Sequence, residues 1–233
     1  MSFYVNTDAP ILREVAAPIP TNEIKSLKTK KLVDFILEVG MQEDNMAGLA
    51  APQIGFPYRV IIINTKIFDS GRYNIDKNKP NNYNVYINPE INYLSSEEEA
   101  DVEGCFSIPG FSGIVKRAKE ATITAFDING EKVTLKLTDF PARVFQHEID
   151  HLNGLMYPDR IFSHNPDSRS FHFLSSHHAT KEYKEEREKN YKSSLSSYKE
   201  RHGDIINFTW IDTISKNEWE EKISKHKPNW NIN

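Results

Sequence analysis

Cysteine is nearly absent from this sequence: 233 residues contain one, Cys105. An internal disulfide is thereby excluded, and a lone thiol fits a reducing compartment, where it stays available to bind metal. Histidine is as scarce through most of the chain, with only His147 and His151 before residue 164. Long apolar runs are missing too. The longest, Val60-Ile61-Ile62-Ile63, falls far short of the roughly 20 residues that span a bilayer. The first residues, Met1-Ser2-Phe3-Tyr4-Val5, have neither the basic start nor the apolar stretch of a signal peptide, and they are not an Arg- and Ser-rich transit sequence. The expected location is the cytoplasm. An excess of one charge is also lacking. The 29 Lys and Arg against 33 Asp and Glu leave −4, which predicts neither a nucleic-acid nor a membrane partner. With mean hydropathy at −0.59, a soluble body carrying a polar appendage is the natural reading.

What is present is concentrated. His147 and His151 frame His147-Glu148-Ile149-Asp150-His151, and on a helix that spacing stacks two imidazoles on one face. Glu148 is then the residue expected to move the proton of a bound water. The pentapeptide alone also describes an ordinary exposed helix with a chance pair of histidines. Cys105 alone also describes a small buried hydrophobe. Together the three are the only soft ligands before residue 164, and they make one plausible Cys-His-His site. A thiolate donor favours Fe(II), Zn or similar ions over Mg or Ca. A third segment, Met46-Ala47-Gly48-Leu49-Ala50-Ala51-Pro52-Gln53-Ile54-Gly55, reads either as a tight packing loop or as an extended substrate edge. In the second reading Gln53 supplies an amide donor to a developing oxyanion.

Local signals sketch the rest. A helix is expected over 21–40, capped by Thr21 or Asn22 and stopped by Gly40. Residues 46–55 are expected to form a loop leading into a strand over 59–64. Residues 69–82, rich in Asn, Lys and Gly, read as an exposed insertion, and 83–88 as a strand ended by Pro89. Strands over 121–127 and 131–138 flank Asn129-Gly130, a hairpin signal. A helix over 140–153 follows, with Asp139 as candidate N-cap, Pro141 in its first turn and Gly154 as its stop. Its inward face is expected to hold Val144, His147, Glu148, His151 and Leu155. Composition then shifts, and 164–233 holds six of the eight histidines with many Lys, Glu, Ser and Asn. There 183–202 looks helical with a thin apolar face, and Trp210, Trp219 and Trp230 are scattered near the end. The expected division is a catalytic body over 1–163 and an appendage over 164–233.

Three segments in this order resemble the signature of the peptide deformylase family: Gly48-Leu49-Ala50-Ala51-Pro52-Gln53, Glu103-Gly104-Cys105-Phe106-Ser107 and Gln146-His147-Glu148-Ile149-Asp150-His151. The stretch Pro10-Ile11-Leu12-Arg13-Glu14-Val15-Ala16 also resembles that family's N-terminus. The resemblance covers roughly residues 8–163. It implies an α+β fold, with antiparallel strands packed around a central metal-binding helix, ahead of the polar, partly helical C-terminal appendage. The implied reaction is removal of the N-formyl group from formyl-methionine at the start of new polypeptides, with release of formate.

By matching positions, Cys105, His147 and His151 are the implied ligands of one divalent metal. The resemblance implies Fe(II) as that metal, with Zn, Ni or Co as substitutes. Glu148 is the implied general acid and base, and Gln53 with the Phe106 backbone N–H the implied oxyanion donors. Gly48 is implied to pair with the substrate backbone, and Met46, Glu103, Gly104 and Val144 are further candidate substrate contacts. The expected partners are formylated nascent N-termini, at the ribosome, with the protein acting as a monomer. The family usually has Gly at the position of Met46 and Leu at that of Phe106, and its usual tail is shorter. A metal-dependent amidase or protease on another acyl-peptide, and a non-catalytic peptide-binding module, are the alternatives. Formate release from a formyl-Met peptide, set against cleavage of acetyl-Met or internal bonds, separates all three.

Overall fold

A computed structural model of the chain describes residues 4–5, 9–43, 46–70 and 82–164. The expected helix over 183–202, the three tryptophans and most of the insertion expected over 69–82 lie outside the described residues. The chain divides into two compact units. One comprises Glu14–Glu99 and Arg117–Gly154; the other comprises Met1–Arg13, Ala100–Lys116 and Leu155 onward.

The first unit is built on a five-stranded antiparallel sheet. Its strands are β1 (Gly48–Ala50), β2 (Val60–Asn64), β3 (Tyr83–Leu94), β6 (Glu120–Phe126) and β7 (Lys132–Thr138), in that spatial order. β2 reads Val-Ile-Ile-Ile-Asn and is buried along its whole length, as β-branched residues inside a sheet require. β1 pairs with it through Gly48↔Ile63, Leu49↔Ile62 and Ala50↔Ile61. The segment expected as a loop is therefore a short strand, followed by a 3-10 turn over Ala51–Ile54 and a left-handed Gly55 at φ 88°.

β3 does not stop at Pro89. Asn88 adopts φ 50° and the register shifts between Ile87 and Glu90, so the proline sits in an irregularity where no ladder N–H is needed. The Asn88 side chain fixes this bend, accepting from Ile19 N–H at 2.8 Å and donating to Ile19 C=O at 2.7 Å. The β6–β7 connection spans five residues, 127–131, rather than the three left between the expected strands. Only Gly130, at φ 74°, is left-handed there, and Asp127 Oδ1 accepts the N–H groups of both Asn129 and Glu131 at 2.8 Å.

Among the described residues, three α-helices complete this unit. α1 (Leu27–Gln42) starts later than expected because Ser26, rather than Thr21 or Asn22, supplies the cap, accepting from Thr29 N–H at 3.2 Å. Thr21–Glu23 forms a separate 3-10 turn. Gly40 does not stop α1. It lies inside the helix, where a Cβ would come within 2.6 Å of Ile62 Cδ1, so the close packing against β2 favours glycine. α3 (Asp139–Leu152) matches the expected motif helix, although Asp139 is no side-chain cap: it takes φ 53°, and Thr138 makes no capping bond either. The core beneath the sheet gathers Ile61, Ile63, Tyr86, Ile123, Leu137, Phe145, Ile149 and Leu152. Phe68, on α2 (Lys66–Ser70), and Tyr86 both lie beside the Phe145 ring.

The second unit holds a 3-10 turn over Pro10–Arg13, most of the two-stranded sheet of β4 (Glu98–Cys105) and β5 (Ile108–Ala118), and α4 (Tyr157–His164). Arg13 bonds Asp159 at 2.5 Å with both side chains buried, and Asp159 also accepts from Met156 N–H at 2.7 Å. This pair ties the start of the chain to α4.

Candidate metal centre

α3 is an unusual helix for its composition. Ten of its fourteen residues are buried, yet Arg143, Gln146, Glu148, Asp150 and His151 are among the ten. Burying such groups is costly unless each finds a partner, and most of the partners are backbone or opposite charge. Asp150 forms a buried ion pair with Arg117. Gln146 Nε2 donates to Ala118 C=O at 2.8 Å and to Ala142 C=O at 3.0 Å. Arg143 donates to Glu99 C=O at 2.6 Å. At the other end, Arg59 donates to Leu152 C=O at 3.2 Å, to Asn153 Oδ1 at 2.9 Å and to Pro89 C=O at 3.1 Å. Burial lowers the pKa of this guanidinium. The helix that carries both histidines is thus pinned along its length.

Arg59, Arg117 and Arg143 do not stand out in the sequence, and Asp150 does so only as part of the motif. The available signal was compositional. A helix this polar can be central only if buried charges answer it, and Asp150 follows His147 by three residues, on the same side.

His147 and His151 stand one turn apart, ring centroids 5.0 Å from each other and planes at 77°. Cys105 ends β4 and is partly exposed, and its Sγ accepts from Ser107 N–H at 3.4 Å across the Phe106–Ser107 turn. Cys105, His147 and His151 each offer one ligand atom, and these atoms all lie within 4.8 Å of one another. Two imidazoles and a thiol at that spacing suit a tetrahedral site for a soft or borderline divalent ion with one position left for water. The donor set therefore fits the metal that the motif implies.

Glu148 is buried at 4% exposure. A Cβ added at Gly48 would fall 2.8 Å from both its Cγ and its Oε1. The bare α-carbon of Gly48 is what makes room for the carboxylate, a steric role additional to the one expected for this glycine. Gln53 is buried at 2%, and its Oε1 accepts from Ala50 N–H at 2.8 Å. That bond fixes Oε1 as the acceptor end of the amide and Nε2 as its donor end.

The other candidates are placed as follows. Glu103 is buried, Gly104 is exposed and Phe106 is half-buried. Val144 belongs to the hydrophobic core. Met46 is 1% exposed, its carbonyl accepting from Asn64 Nδ2 at 3.0 Å. Tyr157, fully buried on α4, has its hydroxyl pKa pushed well above the usual phenol range, chiefly by burial and then by the charges of Cys105 and Glu103.

The sequence model of the polypeptide deformylase family matches residues 4–167. A peptide deformylase from Carboxydothermus hydrogenoformans is 40% identical over 151 residues, covering 65% of this chain and 87% of that protein. One from Bartonella bacilliformis is 38% identical over 152 residues, covering 65% and 80%. Tomato peptide deformylase 1A, described as chloroplastic, is 32% identical over 166 residues, and the match covers 67% of this chain but 58% of that longer protein. Among solved structures, a class I type b peptide deformylase from Acinetobacter baumannii with Met-Ala-Ser bound matches with TM-score 0.58 at 36% identity. That match covers 67% of this chain and 96% of that one.

Proposed function

This chain belongs to the polypeptide deformylase family, and from that premise we propose that it hydrolyses the N-formyl group from formyl-methionine at the start of new polypeptides, releasing formate. It is a metallohydrolase of the deformylase kind. The observation that carries the reading is the gathering of Cys105, His147 and His151, with ligand atoms within 4.8 Å of one another.

Cys105, His147 and His151 would hold the metal, and the softness of the thiolate supports Fe(II), with Zn, Ni or Co as substitutes. Such an ion, when bound, supplies Lewis acidity, lowering the pKa of water and polarising the formyl oxygen. The rest of the chemistry belongs to the chain. Glu148 takes the proton from the attacking water and hands it to the leaving amine nitrogen. Gln53 Nε2 and the Phe106 N–H donate to the oxygen that gains charge at the formyl carbon. Gly48 pairs with the backbone of the substrate in strand fashion, a role supported by the position of β1 at the edge of its sheet. Glu103 and Gly104 flank the ligand loop as secondary contacts. Met46 and Val144 act from within the protein, given their burial.

Among the described residues no helix is long and apolar enough to cross a membrane. We place the enzyme in the cytoplasm, acting as a monomer on nascent chains at the ribosome. Residues 1–163 form its catalytic body and 164–233 an appendage. The test is formate release from a formyl-Met-Ala-Ser peptide against hydrolysis of its acetyl counterpart, with metal content measured alongside. Wild type should release formate and leave acetyl-Met intact. Glu148→Gln should keep the metal and lose about two to four orders of magnitude in kcat, the usual weight of acid–base catalysis. Near-normal turnover in that variant would remove Glu148 from the mechanism.

A further inference from the structure

Phe106 departs from the family's usual leucine, and the structure gives its ring a partner. Tyr4, 4% exposed, stacks on Phe106 with ring centroids 5.5 Å apart and planes within 11° of parallel. Phe106 and Ser107 are the two-residue turn between β4 and β5, directly after Cys105. Here the turn has the Ser107 N–H to Cys105 Sγ contact at 3.4 Å and this stack. A leucine makes no ring stack, whereas an offset aromatic pair resists both sliding and rotation.

We propose that Tyr4 is a positioning residue: by stacking on the Phe106 ring it holds the Phe106 backbone N–H in the direction needed to meet the oxyanion. Tyr4 touches neither substrate nor metal in this role. It acts through residue 106, so the two rings work as one unit. The inference rests on the deformylase reading above.

The test uses Tyr4→Ala, Tyr4→Leu and Tyr4→Phe in the full chain, alone and with Phe106→Leu. Four quantities are read: kcat, KM, metal content, and hydrogen exchange of the Phe106 amide by NMR. Losing an oxyanion donor outright costs about 10²–10³ in kcat. Loosening one should cost less, so Tyr4→Ala and Tyr4→Leu should each lower kcat about tenfold. KM should stay within about twofold, the metal should remain, and the Phe106 amide should exchange faster. Tyr4→Phe, which keeps the ring, should behave as wild type. In a Phe106→Leu background, Tyr4→Ala should have no further effect on kcat, because the stack is already gone.

A fall in melting temperature with unchanged kcat and exchange would make Tyr4 merely structural and overturn the proposal. Loss of metal in Tyr4→Ala would overturn it too, assigning Tyr4 to Cys105 instead. Should Tyr4→Ala fail to fold, Tyr4→Leu carries the same comparison. If wild type releases no formate, the deformylase reading fails. The exchange measurement then still reports whether Tyr4 fixes the Phe106 amide, and unchanged exchange would end the proposal.

Discussion

At one edge of the five-stranded sheet, β7 runs for seven residues, Lys-Val-Thr-Leu-Lys-Leu-Thr, with Lys132 and Lys136 exposed. At the other edge, β1 is three residues, Gly48-Leu49-Ala50, without a charge. Exposed strand edges invite pairing with other chains, and lysine is a common guard against it. β7 carries that guard while its alternate residues Val133, Leu135 and Leu137 face the core. β1 has none. An unguarded edge is tolerable when it is short, and useful when a particular strand is meant to pair there. The chemistry follows the same division. Glu148 rests against Gly48, whereas nothing in the proposed mechanism touches β7.

The largest effect should come from giving β1 a side chain. In Gly48→Val the first added carbon meets Glu148 at 2.8 Å, and the carboxylate must give way because the strand is locked to β2. Displacing a general base forfeits most of its contribution, so kcat/KM should fall by about a hundredfold or more with the metal retained. Thr134→Phe, which adds bulk at an exposed position of β7, should change kcat/KM by less than about threefold. Equal losses in the two variants would erase the functional distinction between the edges.

The next effect lies where β1 is anchored. Asn64, fully buried at the end of β2, donates from Nδ2 to Met46 C=O at 3.0 Å and accepts at Oδ1 from Lys66 N–H at 3.1 Å. Its main-chain N–H also donates to Ala47 C=O at 2.9 Å. Asn64→Asp keeps the acceptor and turns the donor into an oxygen facing the Met46 carbonyl. An unmatched buried pair costs about 1–3 kcal/mol, which a denaturant titration can read. If β1 serves the substrate, KM should rise about tenfold for a formyl tripeptide, on the same 1–3 kcal/mol scale, and less for formyl-Met amide. An unchanged KM for both substrates would confine Asn64 to stability.

The contrast between the edges also marks what could be read from the sequence. Signals carried within a few residues were legible: the His147–His151 spacing, the Asn129-Gly130 turn, and the β-branched run of β2. Signals that depend on distant partners were not. The strand character of 48–50 comes from pairing with Ile61–63, and the bend at Asn88 is held by Ile19. β4 and β5 were missed because Glu98-Glu99 and the Pro109-Gly110 pair give no clean alternation. The candidate ligands Cys105, His147 and His151 stand out in the sequence because so few soft side chains compete with them. The arginines around α3 do not, because 29 basic residues offer no such economy.

Removing the guard from β7 should have a smaller and different effect. Lys132→Val with Lys136→Val leaves the core face untouched but gives the edge a run of apolar, β-branched residues. Light scattering should show concentration-dependent self-association, while kcat/KM of the monomeric fraction stays within about twofold. A variant that stays monomeric at every concentration would mean that the lysines are not what protects this edge.

The smallest effect belongs to the turn that leads into β7. Asp127 accepts from the N–H groups of Glu131 and Asn129, and its Oδ2 from Asn129 Nδ2 at 3.2 Å. These bonds favour the ionised carboxylate. The Glu131 N–H contributes most, and the Asp127 pKa is lowered below the ordinary aspartate value. A lowered folded pKa places the stabilisation above the unfolded pKa, and the stabilisation disappears as pH falls through the folded value. Asp127→Asn keeps an acceptor for the two N–H groups but removes the charge. Its melting temperature should therefore lie slightly below that of wild type at neutral pH. The gap should stay constant down to about pH 5 and close as acid protonates Asp127 below about pH 4. Because the carboxylate is fully exposed, salt and solvent screen its charge and keep the gap small. A gap that persists in acid would mean that the substitution disturbs the turn sterically rather than through charge.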